Sequence, residues 1–142
     1  YVTMLDHLCE PNGLGRKTAA GYYTYVVGKR SPTTDDVVRA IITQASAARG
    51  ITRRTLSAEE IQHRALLAMA NEAALLLAEG VAARPGDVDV VLVHGYGFPR
   101  AQGGPVFWAR QQDAATLKRD LQALIQAAGH GFALGDIAQL AA

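Results

Sequence analysis

The longest uninterrupted helical pattern in the chain runs from Ser57 to Gly80, and it limits the fold more than any other stretch. Ser57 with Glu60 three residues on has the form of a capping box, and Gly80 stops the segment. From Ala65 onward it is apolar almost all round. A helix with that property is packed on several sides, so other helices must surround it. At about 100° per residue, Glu60, Arg64 and Asn71 fall on one narrow polar stripe. Glu72 falls elsewhere, on the side of Ile61, Ala65, Met69 and Leu76. A carboxylate there is expected to point into packed surface and to need donors.

The flanking segments agree with an all-α chain. A first helix opens after Thr33-Thr34-Asp35 and runs to about Ala48, before Gly50. Pro105 suits the first turn of another, through about Gln112. The last helix is capped by Asp113, carries the stripe Ala114, Leu117, Leu121, Leu124, Ile125, Ala128, and ends at Gly129. Val2 to Leu8 reads as the tail of a helix, and His130 to Ala142 as a short helix or frayed end. The run Val88-Asp89-Val90-Val91-Leu92-Val93, taken alone, reads as a buried strand, although no second strand pattern pairs with it.

Composition excludes several classes of function. In 142 residues, 49% are hydrophobic and 19% charged, which is ordinary for one globular core and excludes disorder. Fourteen Lys+Arg against 13 Asp+Glu leave a net charge of +1, so no global field draws the chain to nucleic acid. One cysteine, Cys9, excludes an internal disulfide and a multi-cysteine zinc site. No apolar run reaches the roughly 18 residues of a membrane span. The chain starts at Tyr1 and is read as an excised piece of something longer, with a cytoplasmic home expected. Its end, Gln139-Leu140-Ala141-Ala142, has no Ser-Lys-Leu-like address.

Generic motifs for chemistry are missing. Histidines at 7, 63, 94 and 130 are not spaced as a metal pair on one helix face. Gly95-x-Gly97 and Gly103-Gly104 match neither the dinucleotide fingerprint nor a Walker loop, and close backbone packing explains them better. Arg49, Arg53 and Arg54, with Lys29-Arg30, form a small basic patch. It admits two readings, solvated charge or a contact to an anionic ligand such as a coenzyme A phosphate.

Three stretches taken in order resemble the C-terminal helical domain of 3-hydroxyacyl-CoA dehydrogenases. They are Leu14-Gly15-Arg16-Lys17-Thr18 through Gly21-Tyr22-Tyr23; Arg64 to Gly80, with Asn71-Glu72-Ala73 and Glu79-Gly80; and Pro85-Gly86-Asp87-Val88-Asp89 followed by Gly95-Tyr96-Gly97-Phe98-Pro99 and Gly103-Gly104-Pro105. The last form is most similar to the second copy of that domain in the multifunctional fatty-acid β-oxidation enzyme. The resemblance implies a compact all-α domain of about five helices, 6-phosphogluconate dehydrogenase C-terminal-like, over residues 33–142, with 1–32 as lead-in. It implies that Val88–Val93 is helical. It also implies an NAD-dependent parent whose NAD is bound by a domain absent here, so that this piece has no cofactor, metal or catalytic residue of its own. His63 stands where the catalytic copy carries an Asn.

The implied role is packing: the piece braces the preceding Rossmann and first helical domains while acyl-CoA is oxidised elsewhere, and the isolated piece self-associates. The alternative is a free-standing helical module for acyl-CoA or a protein. The residues marked as structural are Glu72, Asn71, Arg64, Gly80, Gly97, Pro99, Gly104 and Pro105. Glu72 is the expected fastener, accepting backbone amides of the Gly95–Gly104 loop or pairing with Arg16 or Arg64. Removing such a buried partner would cost about 3–5 kcal/mol.

Overall fold

The computed structural model describes residues 4–10, 13–26, 28, 31–128 and 132–141. Among them the regular structure is helical, with six α-helices, three short 3₁₀ turns and no strand. The chain divides into two compact units, Tyr1–Thr55 and Leu56–Ala142, and each is described by itself.

In the first unit, α1 (Met4–Cys9) packs against α2 (Asp36–Ala48). The lead-in between them is held by isolated antiparallel bridges, Gly15 with Ala20, Ala20 with Thr24, and Thr24 with Thr33. Thr24 and Thr33 exchange two backbone hydrogen bonds of 2.9 Å. The Thr24 hydroxyl then donates to Asp35 Oδ2 at 2.9 Å, while Asp35 Oδ1 accepts the amide of Val37 at 2.8 Å. One carboxylate therefore caps α2 and ties it to the lead-in. Those bonds, the Thr24 hydroxyl above all, hold the Asp35 carboxyl below its usual range.

The second unit is built round α3 (Ala58–Ala78), which packs on α5 (Pro105–Arg110), α6 (Ala114–Ala128) and the terminal turn Ile137–Ala141. Ser57 caps α3, its hydroxyl accepting from the Glu60 amide at 3.2 Å. Asp113 does the same for α6 through the Thr116 amide at 2.9 Å. The expected stop at Gly129 and the residue His130 lie outside the described residues. The core joins Leu67, Ala70, Ala73 and Ala74 of α3 to Val106, Ala109, Leu117, Leu121 and Leu140. Alanines on α3 keep that face thin, so neighbouring helices approach closely and bulky side chains come from the opposite walls.

The valine run is helical. It lies in α4 (Pro85–Gly95), which begins with Pro85 at its first turn and packs on α5. With no neighbouring strand to take its backbone groups, the run satisfies them internally, which overrides β-propensity.

The buried stripe of α3 is a second departure from the sequence pattern. The face that enters the core is Leu67-Ala70-Asn71-Ala74, while Ile61, Ala65 and Glu72 are exposed. A helix apolar nearly all round gives no moment to set its rotation, so which residue can be satisfied when buried decides it. Leu121, fully buried, should lose about 2–5 kcal/mol on Leu121→Ala in chemical denaturation. Ile61→Ala, at a position 53% exposed, should stay within about 0.5 kcal/mol of the parent.

Candidate functional site

The marked residues do work in this structure that is largely different from the work expected of them. Glu72 is exposed and is not the fastener. Its neighbour Asn71 is 2% exposed and takes that part. The Asn71 side-chain amide donates to the Ala133 carbonyl at 2.9 Å, and Asn71 Oδ1 accepts the Gly135 amide at 2.9 Å. A neutral amide offers both a donor and an acceptor to a passing backbone segment, whereas a buried carboxylate needs donors only and costs far more to desolvate. Gly135 makes the approach possible, because a Cβ there would sit 2.8 Å from the Asn71 carbonyl oxygen and 2.9 Å from Ala74 Cβ.

Arg64 pairs within its own helix, its Nε donating to Glu60 Oε1 at 3.1 Å. Arg16 lies over the Tyr25 ring, 5.4 Å from its centroid. Neither is a partner of Glu72. Gly80 closes α3 with φ +72°, its amide bonded to the Leu77 carbonyl at 3.1 Å. Gly97 has φ +75°, and Pro99 precedes the 3₁₀ turn Arg100–Gln102.

Gly104 and Pro105 meet at a joint the sequence does not announce. Asp89, from the middle of α4, reaches the start of α5, where its two carboxylate oxygens accept the amides of Val106 (2.8 Å) and Phe107 (3.0 Å). Gly104 has φ +123°, and a Cβ on it would lie 2.2 Å from Asp89 Oδ1. Pro105 follows, buried at the first helical position, where its missing N–H costs nothing. The Gly/Pro-dense loop is therefore shaped round the protein's own carboxylate. The same fact bears on a dinucleotide: the Val106 and Phe107 amides already serve an anion, and the charge of Asp89 repels a phosphate.

His63 on α3 faces Asp120 on α6, Nε2 to Oδ2 at 3.1 Å, and meets Trp108 edge-on with centroids 5.7 Å apart. Asp120 Oδ1 also accepts from Arg119 Nε at 2.9 Å. The Arg119 hydrogen bond, followed by the His63 contact, lowers the Asp120 carboxyl against a partial burial that raises it. The pair joins α3 to α6 through residues 57 apart in sequence, which no local pattern could announce. His7 sits 3.8 Å from Glu10, and His94 Nδ1 lies 3.4 Å from an Arg100 guanidinium nitrogen. Of the basic patch, Arg53 donates to the Ser46 hydroxyl at 3.2 Å, while Lys29 and Arg30 lie outside the described residues. Among the described residues no three His, Cys, Asp or Glu side chains are grouped to hold a metal ion, and no helix is long and apolar enough to cross a membrane.

No family model matches the chain. Curated relatives do. It is 40% identical over 124 residues to the peroxisomal bifunctional enzyme of Pongo abelii, a match covering 86% of this chain. The enzyme of the same name from Homo sapiens is 39% identical over 124 residues, and that from Danio rerio 36% over 110 residues, or 77% of this chain. The chain is homologous to part of that enzyme. It spans 17% of the length of the first two relatives and 15% of the third, so it corresponds to one segment of a much larger multifunctional chain.

Two outcomes test these joints. Asn71→Leu leaves a carbonyl and an amide without their partner and should cost on the order of 3 kcal/mol in urea unfolding, whereas Glu72→Ala should cost less than about 0.5 kcal/mol. Asp120 has a depressed carboxyl, so its contribution is present above the ordinary carboxylate pKa and is lost as pH falls through the lowered folded value. Asp120→Asn should therefore melt below the parent near neutral pH, and the two melting temperatures should converge only in acid below the ordinary carboxylate range, once the lowered folded value has been passed.

Proposed function

We propose that the chain is a non-catalytic helical repeat of a multifunctional fatty-acid β-oxidation enzyme, one that oxidises 3-hydroxyacyl-CoA to 3-ketoacyl-CoA with NAD. The observation that carries this reading is the likeness to one segment of the peroxisomal bifunctional enzyme, 40% identical across 86% of this chain. The order of the Gly-Arg-Lys, Asn-Glu-Ala and Gly-Phe-Pro…Gly-Gly-Pro stretches supports assigning it to the second of two tandem helical domains, with a 6-phosphogluconate dehydrogenase C-terminal-like fold. NAD then belongs to a separate Rossmann domain of the parent, and hydratase chemistry to another module.

The internal joints support a bracing role. Asn71, Asp89, Gly104 and Pro105 all spend their polar or conformational properties on holding unit 2 together, and Asp89 fills the loop that most resembles a phosphate cradle. Hydride transfer requires the thioester to be held against the nicotinamide in a water-poor cleft, and rigid helical walls serve that need. The partners in this reading are the preceding Rossmann and first helical domains, with acyl-CoA bound by the parent. A side of α3 that leaves Ile61 in water, and α4 with Val90 and Val91 exposed, are the faces such neighbours would cover, and the isolated chain would cover them by self-association. For compartment, the Ala/Arg-rich composition favours a cytoplasmic parent, while the relatives carry the word peroxisomal in their name.

The test is direct. Purified chain is mixed with NAD and 3-hydroxybutyryl-CoA and titrated separately with NADH, and its mass is followed by sedimentation over a concentration series. The reading expects no turnover above the blank, no NADH binding, and a mass that rises with concentration. Turnover, tight NADH binding, or a strict monomer at all concentrations would contradict it.

A further inference from the structure

The last residues of unit 1 are held quite differently from the joints of unit 2. Residues 51–57 form no helix, turn or bridge, and every residue from Ile51 to Thr55 is exposed. Among the described residues, the amides of Thr52, Arg53, Thr55 and Leu56 donate to no backbone carbonyl. Order resumes at Ser57, the cap of α3.

Two consecutive cations stand in this stretch, Arg53 and Arg54. Arg53 donates to the Ser46 hydroxyl at 3.2 Å, an exposed bond that a carboxylate can replace with a charge-assisted one. Other basic residues are tied down by their backbone. Arg39, Arg64, Lys118 and Arg119 lie inside α-helices. The carbonyls of Arg84 and Arg100 already accept the amides of Asp87 (3.0 Å) and Gly103 (3.1 Å), and the amides on either side of the Arg49 carbonyl bond back to α2. A serine endopeptidase of the trypsin kind needs the reverse. It takes an arginine into a pocket with an acid at its base, and the scissile carbonyl must be free to enter an oxyanion hole. A bond inside a helix meets those demands only after local unfolding, whereas residues 52–56 meet them as they stand.

We propose that Arg53-Arg54 is a cleavage site for a serine endopeptidase with an acidic specificity pocket, and that the piece beginning at Arg54 or Thr55 stays folded. Water adds across the peptide bond, leaving a carboxylate on the arginine and an amino group on the residue after it. The contacts of Asn71 with Gly135, Asp89 with Val106 and His63 with Asp120 all lie beyond the cut. The new ammonium comes just before the Ser57 cap, where Glu59 and Glu60 in the first turn of α3 offset a positive charge. The proposal is independent of the β-oxidation reading, because it uses only exposure and backbone bonding.

The test digests the full 142-residue chain with a trace of trypsin and follows the products by mass spectrometry. The first cut should fall after Arg53 or Arg54, at least about tenfold faster than at any bond beyond Leu56. The product that ends at Ala142 should resist further digestion and, once purified, keep a helical circular dichroism spectrum. Arg53→Gln with Arg54→Gln should slow its appearance at least about tenfold without changing the spectrum of the intact chain. Arg53→Gln with Thr55→Pro, which keeps Arg54 but places proline after it, should protect equally, since the Thr55 amide gives up no backbone bond. A first cut at Lys29, Arg30 or within a helix, equal rates in the parent and either double variant, or loss of the longer product as fast as it forms would overturn the proposal.

Discussion

A single buried amide sets the geometry of the larger unit. Asn71 is the polar residue on the core face of α3, and both ends of its side chain are committed to the backbone of residues 133–135. That commitment fixes how α3 is rotated, since the helix is apolar enough to be turned several ways. It also fixes where the terminal segment runs. Once residues 133–135 lie on α3, Leu140 reaches the core beside Leu121, and the Arg110 guanidinium finds the Leu140 carbonyl. A wrong rotation would leave a buried carbonyl and amide unpaired, a cost larger than the packing difference between two apolar faces.

Asp89 plays the same part for α4 and α5. A helix of six residues has little stability of its own, and its Val106 and Phe107 amides would otherwise lack an acceptor. A carboxylate supplied by the preceding helix satisfies two of them and opposes the positive end of the helix with a full negative charge. The close approach needs Gly104, and the start of α5 needs Pro105, which is why a Gly-Gly-Pro run sits where a superficial reading finds a phosphate loop. The joints that look like binding chemistry are thus internal. In the proposed function this is what a bracing element would need; the comparison itself shows likeness to a segment making up 17% of a bifunctional enzyme.

Much of the helical layout was legible because it is local. Asp35, Ser57 and Asp113 mark helix starts by capping chemistry acting over two or three residues, and each caps the helix that follows it. Pro85 and Pro105 mark two more. The valine run of α4 was ambiguous in isolation, because β-branching and helical burial leave the same short apolar signature, and the family resemblance resolved it. The exchange of Glu72 for Asn71 went unseen for a different reason. Adjacent residues differ by only about 100° on a helix, and no moment told which one faced inward. His63 with Asp120, Asp89 with Val106, and Asn71 with Gly135 are tertiary contacts spanning 57, 17 and 64 residues, beyond the reach of any local pattern.

The account rests on side-chain acceptors that lock backbone amides far away in sequence, and native-state hydrogen exchange reads those amides one by one. The Gly135 amide on Asn71 Oδ1 and the Val106 amide on Asp89 Oδ1 should exchange only through global unfolding, with the same free energy as the central amides of α3. Exchange of either amide at rates typical of a surface loop, while α3 stays protected, would contradict the account.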